Sequence, residues 1–345
     1  MKPGFWISST NTHNEAYRKP GSRMKDWKPT ASIEAIQMRA RLNTLIRRFF
    51  LERGVLEVET PILSAAGNTD PNIESFQLEF SGHVAAGAPR RWLRTSPEFP
   101  LKRLLAAGVG SCYELGRVFR NGEMGRLHNP EFTMLEWYRL GWDHHQLMDE
   151  CAELVKEALR LVGKSASIRD TSFRQLYLEH LSIDPLTASE AELRAPLAVF
   201  DISADGLLRD DWLDLLMTHL IQPSIPDNRI LLVYDYPKSQ AALARIRQGD
   251  IPVAERFEVY LGPVELANGY RELGDADEQR ERFVRDLSRR KKKGDSMPPI
   301  DERLLASLPA MPDCSGVAMG VDRLLLMLLG AERMADVIAV PFDRA

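Results

Sequence analysis

Two strand-like runs, residues 113–121 and 131–139, stand on either side of a polar loop, 122–130. A connection that short can join its strands only as an antiparallel hairpin, because a parallel pair needs a crossover of a dozen or more residues. The chain is therefore committed to antiparallel sheet. Further strand character appears at 91–95, 230–234, 257–261, 264–267 and 315–320. A short strand is expected where Val55, Glu57 and Glu59 alternate with Leu56 and Val58, up to Pro61. Helical spacing of Ile33, Ile36, Leu42, Leu45, Ile46, Phe49 and Phe50 begins just after Ser32 and stops at Gly54. Ser96 can cap a helix whose first residue is Pro97 and which Gly108 ends. The middle, 143–228, reads as mostly helical, most clearly at 209–222 with Trp212, Leu215, Leu216 and Leu220. A charged helix at 275–293, a Pro-rich turn at 298–299 and an apolar helix at 321–329 complete the pattern. There is no internal repeat. Strands and helices do not alternate regularly, so the expected fold is α+β, with a mixed or antiparallel sheet flanked by helices rather than a doubly wound one.

Composition narrows the function classes. The densest apolar stretch, 324–329, directly follows Asp322 and Arg323, so no membrane partner is expected. Among 345 residues, 45 basic and 49 acidic side chains leave a net charge of −4, which argues against a DNA-binding surface. The three cysteines, Cys112, Cys151 and Cys314, are far apart and read as free thiols of a cytoplasmic protein. Residues 1–29 are polar and rich in turn formers, without the apolar core of a secretory signal. They are expected to be a disordered leader, with Met24 a candidate start, ahead of a folded domain over 30–345.

A GxxxxGK[ST] phosphate loop, GxGxxG after a strand, the metal-binding HExxH and the nucleophile pattern GxSxG are all absent. His144 and His145 lack partners at ligand spacing and read as a solvated helix start rather than a metal site. The basic run 289–293 reads as a solvated helix end, favoured by the macrodipole, or as a contact for an acidic partner. Three other segments carry more. The hairpin holds Phe119-Arg120-Asn121-Gly122-Glu123 and then His128-Asn129-Pro130-Glu131-Phe132-Thr133-Met134-Leu135-Glu136-Trp137-Tyr138; an arginine at a strand end beside a polar loop can wrap a nucleotide. Glu265-Leu266-Ala267-Asn268-Gly269-Tyr270-Arg271-Glu272 places two carboxylates seven residues apart. If the chain turned at Gly269, both acids could approach one Mg²⁺ ion, or they could be two acids on a wet surface. Ser315-Gly316-Val317-Ala318-Met319-Gly320-Val321-Asp322-Arg323 offers a strand of small residues that lets a ligand close to the backbone, then a guanidinium suited to phosphate. The alternative there is a buried Asp322–Arg323 structural pair.

Taken in this order, the segments resemble the signature motifs of class II aminoacyl-tRNA synthetases. Glu57-Val58-Glu59-Thr60-Pro61 resembles motif 1, whose proline lies at the dimer interface; the hairpin resembles motif 2; residues 320–323 resemble motif 3. The likeness is greatest to lysyl-tRNA synthetases. It includes Thr95-Ser96-Pro97-Glu98, then Leu101-Lys102-Arg103-Leu104, the string from His128 to Leu135, and Asn268-Gly269. The likeness to motif 1 falls within the first 60 or so residues, so no anticodon-reading OB-fold domain is expected ahead of it. In this the chain is similar to the elongation factor P–(R)-β-lysine ligase family.

That resemblance implies an AMP-forming ligase using ATP and Mg²⁺, a homodimer, which activates (R)-β-lysine as an adenylate. The acyl group then passes to a lysine ε-amino group of elongation factor P, whose acidity would give the run 289–293 a use. Arg120 and Arg323 would be catalytic, gripping the α- and γ-phosphates. The rest of the ATP site would comprise Asn121, Gly122, Glu123, His128, Asn129, Phe132 stacked on adenine, Glu265, Leu266 and Gly320. Glu265 and Glu272 would hold the metal. The amino-acid pocket would draw on Ser96, Pro97, Glu98, Glu136, Tyr138, Asn268, Glu272 and Ala318, with Glu98 and Glu136 suited to a substrate bearing two ammonium groups.

Two positions depart from the family pattern. Motif 2 ordinarily carries glutamate two residues after its arginine, where Gly122 stands, and Glu123 comes one position later. Lysyl-tRNA synthetases usually have glycine at the position of Ala318, and a methyl group there is expected to disfavour α-lysine and favour a β-amino acid. The rival readings are a truncated synthetase charging tRNA or a tRNA-like acceptor with α-lysine, and a non-catalytic synthetase-like subunit. Retention of Arg120, Arg323, Glu265 and Glu272 weighs against the latter.

Overall fold

The computed structural model describes residues 27–345 other than 84, 86 and 88, so most of the expected leader, and Met24 with it, lies outside the described residues. The first element is α1 (Ile33–Glu52), whose cap Ser32 accepts a hydrogen bond from the Ala35 amide at 3.1 Å. Its stripe of Leu42, Leu45, Ile46, Phe49 and Phe50 is buried, whereas Ile33 and Ile36 stay exposed. Then come β1 (Leu56–Glu57), β2 (Leu63–Ser64), β3 (Gln77–Glu79), β4 (Arg90–Leu93), α2 (Glu98–Ala106), and the hairpin β5 (Cys112–Phe119) and β6 (Glu131–Leu140). The middle consists of α3 (His144–Arg160), β7 (Ser167–Ser172), α4 (Phe173–Leu181), α5 (Glu190–Arg194) and α6 (Arg209–Leu216). After it follow β8 (Arg229–Pro237), β9 (Ile246–Arg247), β10 (Val253–Leu261), β11 (Val264–Arg271), α7 (Ala276–Lys293), α8 (Glu302–Ser307), β12 (Cys314–Gly320) and α9 (Val321–Leu329).

The main sheet runs β1-β5-β6-β12-β11-β10-β8-β7, with β9 paired to β10, and a small sheet runs β2-β4-β3. Only the edge pairs of the main sheet, β1 with β5 and β7 with β8, are parallel; the inner ladders are antiparallel. The fold is α+β with a mixed sheet. One face packs on α1, α3 and α9 through Leu135, Trp137, Val317, Met319, Phe257 and Val259. Opposite, α4 and α6 cover β8 with Phe173, Leu176, Trp212 and Leu216, while Leu101 and Leu105 of α2 cover the Cys112 end of β5. Between these two covers the middle strands lie open, and that gap is the candidate site.

Several expectations need correction. The strand expected over 55–59 shrinks to Leu56–Glu57, because only that stretch pairs with β5. The Ser96-capped helix has Pro97 as its cap and Glu98 as its first residue. β7 was not expected at all; its residues Ser-Ile-Arg-Asp-Thr-Ser show no apolar alternation. His144 is buried rather than solvated. Asp322 does not pair with Arg323; it takes an ion pair from Arg39 and a hydrogen bond from the Thr133 amide at 2.6 Å.

The chain does not turn at Gly269. β11 runs straight through it, pairing Gly269 with Phe257 on one side and Val317 on the other. A Cβ there would sit 2.4 Å from the Phe257 ring, so the glycine serves close packing rather than a bend. The irregularity lies earlier. Val259 faces Ala267 but Tyr260 faces Glu265, which leaves Leu266 unopposed in a bulge. A bulge resets the alternation of side chains, and Glu265 thereby shares a face with Asn268 and Tyr270.

Candidate active site

Register builds the floor of the site. Across the open face, Glu114, Glu136, Ala318, Asn268 and Glu258 form one cross-strand row, and Tyr138, Gly316, Tyr270 and Arg256 form the next. Their sequence neighbours Leu135, Trp137, Val317, Met319, Phe257 and Val259 point into the core beneath. Over this floor lies a cavity of about 700 Å³.

One end is cationic. The hairpin loop begins at Arg120, which is 6% exposed, with its guanidinium carbon 5.1 Å from the centre of the Phe132 ring. Gly122 has φ +81°, a left-handed conformation that L side chains rarely adopt. The turn it allows returns Glu123 to within 3.8 Å of Arg120 and into the cavity wall, so a glutamate one position late still reaches the site. Arg323, at the start of α9, lies 2.7 Å from His128 Nε2 and donates to the Glu265 carbonyl at 3.1 Å. Burial, then the charges of Arg323 and Arg120, lower the His128 pKa to about 4. The imidazole is therefore neutral near pH 7, and its ring nitrogen can accept from Arg323.

The other end is anionic. Glu98 on the first turn of α2, Glu136 on β6 and Glu272 just beyond β11 converge on it, and Tyr138 donates its hydroxyl to Glu136 Oε1 at 2.8 Å. Lys102 Nζ stands 2.7 Å from Glu98 Oε1 and 2.6 Å from Glu272 Oε2. Burial pushes Glu136 well above the usual carboxylate range, with the charge of Glu98 adding to it; Glu272, pushed mainly by burial and held back by Lys102, rises to about 7. Gly316 makes room for this arrangement: a Cβ there would fall 2.2 Å from the Tyr138 ring and 2.6 Å from Glu272 Oε1.

This layout separates the two acids expected to share a metal. Glu265 stands at the cationic end and Glu272 at the other, with about 20 Å of strand between their Cα atoms. The carboxylate acting on Glu265 is Glu258, from the neighbouring strand; burial raises Glu265 first, and Glu258 raises it further. Arg256 lies between the ends, donating to Asn268 Oδ1 at 3.1 Å and pairing with Glu258 at 2.5 Å, above the Tyr236 ring. Asn268 in turn donates to the Tyr270 hydroxyl at 2.9 Å.

The sequence pattern of the family described as "tRNA synthetases class II (D, K and N)" matches residues 17–344. The chain belongs to the class II tRNA synthetase family. Among curated relatives, the elongation factor P–(R)-β-lysine ligases of Yersinia enterocolitica and Proteus mirabilis are 50% and 49% identical over 328 residues. That of Pectobacterium atrosepticum is 48% identical over the same length. Each match covers 94% of this chain and 100% of the relative.

Of the positions suggested by likeness to class II synthetases, Ser96, Glu98, Arg120, Glu123, His128, Asn129 and Phe132 line the one cavity, as do Glu136, Tyr138, Glu265, Leu266, Asn268, Glu272, Ala318, Gly320 and Arg323. Pro97, Asn121 and Gly122 do not line it. Pro97 caps α2, Gly122 shapes the hairpin turn, and Asn121 donates its amide to the Glu74 carbonyl at 2.8 Å. Asn129 is committed to structure as well, donating to the Glu131 carbonyl at 2.5 Å and accepting from the Phe342 amide at 3.0 Å. Lys102, Arg256, Glu258 and Tyr270 were missed as site residues. A signal for two of them existed: Arg256, Glu258 and Tyr260 alternate with Phe257, Val259 and Leu261, which marks a polar face on a buried strand.

Proposed function

We propose that this protein is an AMP-forming ligase that activates (R)-β-lysine with ATP and transfers it to a lysine ε-amino group of elongation factor P. The observation that carries the reading is the polarity of the cavity: Arg120 and Arg323 at one end suit the phosphates, and Glu98, Glu136 and Glu272 at the other suit a substrate with two ammonium groups. The ligase names of relatives matched over their whole length support the amino acid and the acceptor. Charging of tRNA with α-lysine is not favoured.

In the first step a carboxylate oxygen of the amino acid attacks the α-phosphorus, and pyrophosphate leaves in line with it. Arg120 stabilises charge on the α-phosphate, Arg323 holds the γ-phosphate with its plane set by His128, and Phe132 stacks on adenine. In the second step the acceptor nitrogen attacks the acyl carbon, AMP leaves with the bonding pair, and the nitrogen gives up its extra proton to solvent. The enzyme supplies position and electrostatics, and no covalent intermediate on the protein is required.

Mg²⁺ fits Glu258 and Glu265 better than the pair first expected. They are oxygen donors on adjacent strands: burial, then the charge of Glu258, raises Glu265, whereas the burial of Glu258 is outweighed by Arg256, which holds it below the usual carboxylate range, so Glu265 is the acid a cation would stabilise. Among the described residues no group of three or more metal-ligating side chains occurs, which suits an ion completed by phosphate oxygens and water. When bound, the ion would offset phosphate charge. Residues 30–345 form the catalytic domain. The protein works as a cytoplasmic homodimer paired near motif 1, where the exposed Leu51, Leu56, Ile62 and Leu63 favour burial.

The run 289–293 divides between two uses. Arg290 is buried and bonds the Asp70 carbonyl at 2.7 Å, whereas Arg289, Lys292 and Lys293 edge the cavity, where an acidic acceptor can meet them. The test is intact-mass analysis of elongation factor P after incubation with the protein, ATP, Mg²⁺ and (R)-β-lysine. A single lysyl-sized gain is expected; an unchanged acceptor beside α-lysine-charged tRNA would overturn the reading.

A further inference from the structure

Lys102 has no part in the mechanism above, yet it lies at the centre of the amino-acid end. Its residue is 1% exposed, and its ammonium is shared between Glu98 and Glu272 at 2.7 and 2.6 Å. Glu136 is buried in the same group and feels the charges of Glu98, Glu272 and Lys102, and its Oε2 has no hydrogen-bond partner among the described residues. The adjoining buried charges are already balanced in pairs, Arg94 with Glu114 at 2.6 Å and Arg256 with Glu258 at 2.5 Å. Three carboxylates and one ammonium remain, so the fully ionised group carries two net negative charges.

We propose that Lys102 is a built-in counter-ion that limits this pocket to two net negative charges when its three carboxylates are ionised, and so makes it specific for an acyl group whose two ammonium groups hold them in that state. Once the substrate's carboxylate is consumed in the adenylate, its acyl part carries two positive charges and no internal anion. The pocket then matches it charge for charge. A substrate with one ammonium group would leave a buried carboxylate unpaired, and an unpaired buried charge is costly. Lys102 acts through Glu98 and Glu272 and is a positioning residue. This inference rests on the reading that Glu98, Glu136 and Glu272 meet the substrate's ammonium groups.

The test compares ATP–pyrophosphate exchange with (R)-β-lysine and with (R)-β-aminoheptanoic acid, in which a methyl group replaces the distal ammonium. The readout is the ratio of the two kcat/KM values. Glu98→Gln removes one negative charge and should lower the wild-type ratio by roughly tenfold or more, chiefly through KM for (R)-β-lysine. Glu98→Gln/Lys102→Met keeps the amide but returns the pocket to two negative charges, and should win back about fivefold or more of that loss. The double variant removes both members of an ion pair, a change buried sites tolerate better than loss of one. Glu272→Gln and Glu272→Gln/Lys102→Met provide a second pair. A ratio that falls in a single variant and does not recover in its double overturns the role of Lys102 and leaves the pocket reading standing. Ratios unchanged in both single variants overturn the pocket reading, and the charge match with it.

Discussion

Gly316→Ala is the sharpest test of how the amino-acid end is built. The new methyl would lie 2.2 and 2.5 Å from Tyr138 Cε1 and Cδ1 and 2.6 Å from Glu272 Oε1, where ordinary contacts begin at 3.4 Å. The ring would have to move by more than an ångström. It has nowhere to go, because Tyr138 is 2% exposed and sits directly opposite Gly316 in the β6–β12 ladder. Any such movement also loosens the 2.8 Å hydrogen bond from Tyr138 to Glu136. Overpacking of this kind costs about 1–3 kcal/mol, and a lost hydrogen bond about 1 more. Together they amount to about 2–4 kcal/mol, or roughly 30- to 1000-fold in kcat/KM for (R)-β-lysine-dependent ATP–pyrophosphate exchange. KM for ATP should change little, since the nucleotide end is remote from the substitution. Gly125→Ala is the control: a Cβ there meets nothing within 4 Å, and it should be silent. If Gly316→Ala kept kcat/KM within about threefold of wild type, Tyr138 would not be part of a rigid wall and this account of the pocket would be wrong.

Ala318 lies between Glu136 and Asn268 on the floor, and Ala318→Gly should shift the kcat/KM ratio toward α-lysine by about 1–3 kcal/mol; an unchanged ratio would remove Ala318 from the specificity argument. Glu272 binds its proton more tightly in the folded protein, with a pKa of about 7 against 4.5, so its contribution to stability is full below pH 4.5 and is lost as pH rises to about 7. Binding of an ammonium needs the ionised form, so kcat/KM for (R)-β-lysine should rise with pH through about 7 while stability falls, and Glu272→Gln should flatten that limb. Arg290→Met should lower the unfolding free energy by about 3–5 kcal/mol, because it leaves the Asp70 and Ile73 carbonyls and Glu74 without their shared donor. Lys292→Ala should leave both the unfolding midpoint and adenylate formation unchanged, and slow transfer to elongation factor P.

What could be read from the sequence follows from where each residue's partners lie. The hairpin was legible because its strands and loop are contiguous, and because nine residues can join strands only antiparallel. β7 was not, since an edge strand of polar residues takes its identity from β8, some sixty positions away in the chain. The acids on β11 show the limit most clearly. Counting along a sequence assumes a period of two, under which residues seven apart face opposite ways, so a bend at Gly269 looked necessary to bring Glu265 and Glu272 together. The chain instead inserts Leu266 as a bulge, which brings Glu265 round to the face of Asn268 and leaves the strand straight. Glu265 then finds Glu258 across the ladder, and Glu272 runs on to Lys102. Two acids that looked like one metal site thereby serve opposite ends of the cavity. In the reaction proposed here the phosphates of ATP and the ammonium groups of the amino acid have to be held apart while the carboxylate meets the α-phosphorus, and a straight strand with one extra residue is the device that would hold them so.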